Sequence, residues 1–149
     1  MNDIHSYEEY LDAYGTLTYT NVGISMLPLL RQGRDLLTVR KKGPERCRKG
    51  DVVLYRRPPD QYVLHRIVEV RSDDYVILGD NCVSKEYGIR DEEILGILTG
   101  FVRNGKTHSV DELGYRAYST LWLHTIPIRT GSKKLIWKLK GVIKRLIGR

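Results

Sequence analysis

The feature that most restricts the fold of this chain is a rhythm of short strand-like runs between turn-forming clusters. Thr16-Leu17-Thr18-Tyr19-Thr20 alternates and is rich in β-branched and aromatic residues, as strands are. Further runs of this kind occupy residues 35–39, 51–55, 62–70, 75–78 and 94–103. Gly33-Arg34, Lys42-Gly43-Pro44, Lys49-Gly50-Asp51, Pro58-Pro59-Asp60 and Ser72-Asp73-Asp74 punctuate them. Asn104-Gly105 is a hairpin-type turn at the end of the last. Strands this short, with turns this frequent, predict a mainly β domain. At 149 residues and 41% apolar composition, the chain has enough material for one domain with its own core.

Two helices frame this region. Ser6-Tyr7-Glu8-Glu9 reads as a capping box, with Ser6 as N-cap and Glu9 reaching back. Tyr7, Tyr10, Leu11 and Tyr14 follow at helical spacing, and Gly15 ends the helix. Residues 109–124 are ambiguous: Asp111-Glu112-Leu113 can open a helix with Tyr115, Tyr118, Leu121 and Trp122 on one face. Pro127 then interrupts, and Gly131-Ser132 reads as a linker. Residues 133–149 form the second clear helix, with Leu135, Leu139, Val142 and Leu146 on an apolar stripe and Trp137 near it. The expected organisation is a domain over 1–128 and a basic amphipathic tail helix over 129–149.

The net charge of +7 is unevenly placed. Residues 129–149 hold eight Lys or Arg and no acid, leaving 17 basic and 18 acidic residues in 1–128. A neutral body with a basic tail points to a surface partner for the tail, not to a basic enzyme body. No nucleic-acid reader motif accompanies the charge, so no nucleic acid is expected. Cys47 and Cys82 are far apart and in no metal-like spacing, so neither a zinc site nor a disulfide framework is expected. The acidic N-terminal stretch is the opposite of a secretory signal, and no run approaches the ~18 apolar residues of a spanning helix. The expected location is cytoplasmic, peripheral on a membrane through the tail.

The stretch with the most chemistry is Gly23-Ile24-Ser25-Met26-Leu27-Pro28. A serine hydroxyl needs a base within hydrogen-bond reach to act as a nucleophile. Gly23 and Pro28 fix unusual backbone around Ser25, and such a turn can aim a backbone N–H at a developing oxyanion. Read plainly, it is also a serine in a turn. His65, within Leu64-His65-Arg66-Ile67-Val68, is the candidate base, since imidazole titrates near neutrality. Alternation puts His65, Ile67 and Glu69 on one face and Leu64, Arg66 and Val68 on the other. A half-buried structural histidine is the competing reading. Gly79-Asp80-Asn81 follows the run 75–78, where a carboxylate can orient the base or simply complete a turn. His5, His108 and His124 fall in no such setting.

Taken in order, these stretches resemble the type I signal peptidases, which share a fold with LexA-like self-cleaving repressors. The matching stretches are Ser25-Met26-Leu27-Pro28 with Arg31-Gln32-Gly33-Arg34-Asp35, then Lys49-Gly50-Asp51-Val52-Val53-Leu54-Tyr55, then Leu64-His65-Arg66-Ile67-Val68, then Leu78-Gly79-Asp80-Asn81. They cover roughly residues 17–102. Where most bacterial members carry a lysine base this chain has His65, as in the endoplasmic-reticulum-like branch. The resemblance implies a β-rich signal-peptidase/LexA-like catalytic domain and a Ser25–His65 pair with Asp80 as third member. Gly23, Met26, Pro28, Arg66, Gly79 and Asn81 are the supporting motif residues. It implies a serine endopeptidase acting on signal or leader peptides, small residues at the cut, and no metal or cofactor. Three departures stand out. The anchoring helix expected before the first stretch is not seen. Gly23 occupies the place of an oxyanion-stabilising hydroxyl. A further aspartate is expected after Asn81, and Glu86 is the nearest acid, a weaker candidate.

The tail helix carries Lys133, Lys134, Trp137, Lys138, Lys140, Lys144 and Arg145, a composition suited to an anionic membrane surface. Each such cation near an anionic surface contributes ~1 kcal/mol. Packing on the body, on a partner helix or on an acidic leader peptide are the other uses of such a tail. Two further functional readings remain: a peptidase-like fold that holds a peptide or partner without cutting it, and a self-cleaving regulator. The histidine base and the lack of a DNA-binding N-terminal domain count against the second.

Overall fold

A computed structural model describes residues 5–148. Eight strands form a single, mainly antiparallel sheet: β1 (Thr16–Thr20), β2 (Asp35–Lys41), β3 (Val52–Arg57), β4 (Gln61–Val70), β5 (Tyr75–Leu78), β6 (Glu86–Ile89), β7 (Ile94–Arg103) and β8 (Lys106–Ser109). Helices α1 (Tyr7–Tyr14), α2 (Leu113–His124) and α3 (Ile126–Ile147) and one 3-10 turn (Asp91–Glu93) complete it. The strand order is β1-β2-β7-β3-β4-β5-β6, with β8 paired to β7. The mainly β expectation holds. The strands absent from the sequence reading are the two short, polar ones: β6, which contains Gly88 at φ +75°, and β8.

Local chemistry explains the boundaries. Ser6 Oγ accepts the Glu9 N–H at 3.1 Å and Gly15 closes α1 at φ +75°. The Glu9 carboxylate reaches back to the His5 N–H at 2.7 Å, one residue before the expected partner. Leu11 is buried and Tyr7 packs on the core, whereas Tyr10 and Tyr14 face outward and pair with each other at 4.6 Å. The β7–β8 hairpin turns through Asn104 and Gly105, both at positive φ, the geometry that favours Asn-Gly. Both cysteines are free thiols.

Two strand registers position the site. Arg66 pairs with Leu78, and Ile67 with Ile77, which in turn pairs with Glu86. Cross-strand partners share a face and alternate residues along a strand share a face. His65, Ile67, Ile77 and Glu86 therefore belong to one face of the sheet, and Arg66, Leu78 and Asp80 to the other. A register shift between Ile67 and Glu69 ends the alternation, leaving Glu69 exposed beyond the buried Val68.

The C-terminal region differs from expectation. Residues 113–124 are helical, with Tyr115 and Tyr118 packed inward, but Leu121 points to solvent. Pro127 sits in the first turn of α3, where a missing N–H costs nothing, and the helix runs through Gly131-Ser132 without a linker. Among the described residues, no helix is long and apolar enough to cross a membrane. Arg149, the last cation of the tail, lies outside the described residues.

Candidate active site

Ser25 sits in a turn between β1 and β2 that is held from below. Met26 and Leu30 are fully buried and Leu29 nearly so, which pins the turn to the core. Val22 and Ile24 alternate outward and are 79% and 69% exposed. The Pro28 peptide is cis, within the same turn. The Gly23 N–H donates to Gln32 Oε1 at 2.8 Å. Gly23 is thus engaged in bracing the turn, whereas the Ser25 N–H has no hydrogen-bond acceptor among the described residues.

The turn opens on a cleft of ≈ 1330 Å³ that also contains His65, Asn81, Cys82 and Glu86. One end is aromatic: Tyr7 of α1 lies 5.3 Å from Tyr19 and 4.8 Å from Tyr62, ring to ring. The Tyr62 hydroxyl donates to Glu8, which fastens α1 to the rim. At the other end stand Lys133 and Trp137 of α3.

His65 is 6% exposed. Its Nδ1 lies 3.4 Å from Glu86 Oε1 and 3.3 Å from the Tyr55 hydroxyl. Tyr55 donates to Glu86 at 2.8 Å, and burial, reinforced by Glu86, keeps that phenol protonated. Arg57 donates to both Glu86 oxygens, one at 3.1 Å. Burial pushes the Glu86 carboxyl up, but the hydrogen bonds from Arg57 and Tyr55 outweigh it, and its pKa falls below the ordinary value. Glu86 is therefore an anion facing Nδ1. An Nδ1–H is the hydrogen that this anion and the Tyr55 oxygen can accept, which leaves Nε2 as the basic nitrogen.

Nε2 points toward the Ser25 turn. A Cβ built on Gly79 would lie 2.9 Å from His65 Nε2, 2.8 Å from the Ser25 carbonyl oxygen and 2.6 Å from Cys82 Sγ. Gly79 has no room for a side chain because the Ser25 turn, the His65 ring and the Cys82 thiol converge on it. Among the described residues no hydrogen bond joins the Ser25 hydroxyl to Nε2. Burial lowers the His65 pKa below its ordinary 6.5, and the nearby Glu86 opposes that shift without cancelling it. Its surroundings thus favour the neutral form of His65. The thiol of Cys82 is pushed up by burial and stays protonated, so it does not compete as a nucleophile.

Asp80 is not where a third member of a Ser–His site would be. Its two oxygens accept Arg66 Nε and Nη2 at 2.8 Å each, and Tyr118 donates to it at 2.9 Å. Arg66 and Asp80 are 1% and 2% exposed, and Arg66 Nη1 also reaches the Gly50 carbonyl and Ser119 Oγ. The reason is the register given above: Asp80 belongs to the face of Arg66, Glu86 to the face of His65. The orienting position expected of Asp80 is held by Glu86, the weaker sequence candidate. Tyr55 and Arg57, which support Glu86, were not singled out by sequence. The signal for them is the β3–β4 hairpin, in which Val53 opposes His65 and Tyr55 lies two pairs further along, on the same face.

Asn81 braces the Ser25 turn. Its N–H donates to the Ser25 carbonyl at 2.8 Å and its Nδ2 to the Ile24 carbonyl at 3.1 Å. Lys133 belongs with the site, not with a lipid-facing surface, because its Nζ donates to the Asn81 carbonyl at 2.8 Å. Trp137, four residues on, lines the cleft instead of joining the apolar stripe. His5, His108 and His124 do not line the cleft. Among the described residues no cluster of His, Cys, Asp or Glu could hold a metal ion. Comparison with family models, with curated proteins and with solved structures gave no match.

Proposed function

We propose that this chain is a serine endopeptidase of the signal-peptidase type, cleaving signal or leader peptides with Ser25 as nucleophile and His65 as base. The observation that carries the reading is the two-sided environment of His65: an anionic Glu86 on Nδ1, and Nε2 turned to the Ser25 turn across Gly79. A buried histidine with a purely structural role needs neither a glycine beside its second nitrogen nor an open cleft on that side.

The chemistry follows from the geometry. An extended peptide enters between the aromatic end of the cleft and the α3 end, against exposed Val22 and Ile24. For reaction the Ser25 hydroxyl must come within hydrogen-bond reach of Nε2. Nε2 takes the proton as Oγ attacks the scissile carbonyl carbon, and the imidazolium formed is stabilised by Glu86. The Ser25 N–H meets the developing oxyanion. Nε2 then gives the proton to the leaving amine, and water, deprotonated by the same nitrogen, releases the acyl group from Ser25. Such a base contributes ~10²–10⁴-fold to rate.

The lack of a Ser25–His65 hydrogen bond favours one alternative, a module that holds a peptide without cutting it. The test is incubation of purified protein with candidate precursor peptides beside Ser25→Ala. Cleavage by the wild type alone supports the peptidase. Equal cleavage by both sinks it, and tight binding without cleavage by either selects the binding module.

A further inference from the structure

We infer that α3 couples an anionic membrane surface to the Ser25 turn, so that docking of the helix on lipid tightens the loop that holds the nucleophile. The inference rests on the peptidase reading for its consequence, and on two faces of one helix for its substance.

The inner face is wired to the site. Arg129, Lys133 and Trp137 recur every four residues and so share one side of α3. Arg129 Nη1 donates to the Asp80 carbonyl at 3.1 Å, beside the Trp122 indole N–H at 2.9 Å. Lys133 Nζ grips Asn81 through both its carbonyl and its side-chain oxygen. Asn81 in turn donates twice to the nucleophile turn, to Ser25 and Ile24. Asn81 alone therefore stands between the helix and the serine, with a hydrogen bond at each of the two steps.

The outer face is exposed and packs on nothing among the described residues. Leu135, Leu139, Val142 and Leu146, with Ile136 and Ile143, are 46–73% exposed. Lys140 and Lys144 flank this stripe on one side, and Lys134, Lys138 and Arg145 on the other. No acid occurs anywhere in Ile126–Ile147. An apolar strip bordered on both sides by cations fits a plane of acyl chains edged by anionic headgroups. A nucleic acid would leave the stripe in water. An acidic protein would need an apolar ridge with carboxylates along both margins. With the outer face held on lipid, the inner face has less freedom to lift from Asp80 and Asn81.

The test uses the full chain with phosphatidylcholine vesicles, with and without phosphatidylglycerol. Flotation reads docking, and amide hydrogen exchange at Asn81 reads the coupling without requiring catalysis. The wild type is expected to float only with the anionic vesicles, and Asn81 exchange to slow several-fold when it does. Lys133→Ala is expected to float without that slowing. Lys138→Glu with Lys144→Glu is expected to lose both while retaining wild-type exchange in the absence of lipid. Failure to float overturns the inference, whether the stripe then proves to bind a protein or a second copy. Flotation with unchanged Asn81 exchange overturns it equally. Labelling of Ser25 by a fluorophosphonate probe reports separately on the peptidase: slowed exchange with an inert Ser25 sinks that reading and leaves the coupling.

Discussion

His65 and Arg66 are neighbours on one strand, and each faces a carboxylate, yet the two pairs are built for opposite ends. Arg66 and Asp80 are shut away from water, share two matched hydrogen bonds, and are further capped by Gly50, Ser119 and Tyr118. Every charge is answered, and nothing is left to react. His65 and Glu86 meet at 3.4 Å on the wall of an open cleft, and one imidazole nitrogen has no hydrogen-bond partner among the described residues. A saturated pair gives a fixed framework. An unsaturated one gives a site that can accept a proton. The single-residue step along β4 sends them to opposite faces, so the framework lies behind the site it supports.

Substitutions can break this contrast from either side. The largest effect on activity is expected from His65→Gln, a loss of ~10²–10⁴-fold in kcat/KM with little change in fold, measured by precursor cleavage. On the other face, Asp80→Asn leaves a buried guanidinium without a counter-charge. Removing one partner of such a pair costs ~3–5 kcal/mol. For a chain of this size that lowers Tm by on the order of 10 °C, read by calorimetry. A drop in cleavage for Asp80→Asn that exceeds its loss of folded protein would return Asp80 to the catalytic site.

Glu86→Gln should give the reverse signature: cleavage reduced on the order of 10²-fold, because the imidazolium loses its anion. Glu86 is partly exposed, so stability should change by no more than ~1 kcal/mol. The smallest effect is on the pH profile. The base works only when neutral, and burial holds its pKa below 6.5. Cleavage should therefore fall as pH drops through that lowered value. Because the Glu86 charge raises the His65 pKa, Glu86→Gln should move the acid limb further toward low pH. A shift toward higher pH would contradict the assignment of Glu86.

The framework was largely legible in the sequence, and the contrast between the two pairs was not. β1, β5 and β7 follow directly from alternation and turn residues, and the Ser6 cap and Gly15 stop from helix-end chemistry. Ser25 and His65 stand out because glycine, proline and a strand-borne imidazole surround them. Asp80 was misplaced because proximity in sequence to Gly79 says nothing about which face a side chain takes. That face is set by the pairing of Arg66 with Leu78, and the arrival of Glu86 by its pairing with Ile77. β6, which delivers Glu86, carries a glycine at positive φ and polar neighbours, so it lacks the signature of a strand. The tail was legible as basic and amphipathic. Its inner face was not, because Lys133 and Trp137 acquire their role only from the loop they meet.

The most direct measurement of the central claim is the rate at which a fluorophosphonate probe labels the protein, with the modified residue mapped by mass spectrometry. The account predicts a single adduct on Ser25, formed at pH 7, greatly slowed in His65→Gln and retained in folded Asp80→Asn. Absence of an adduct on Ser25, or labelling undiminished by His65→Gln, would contradict it.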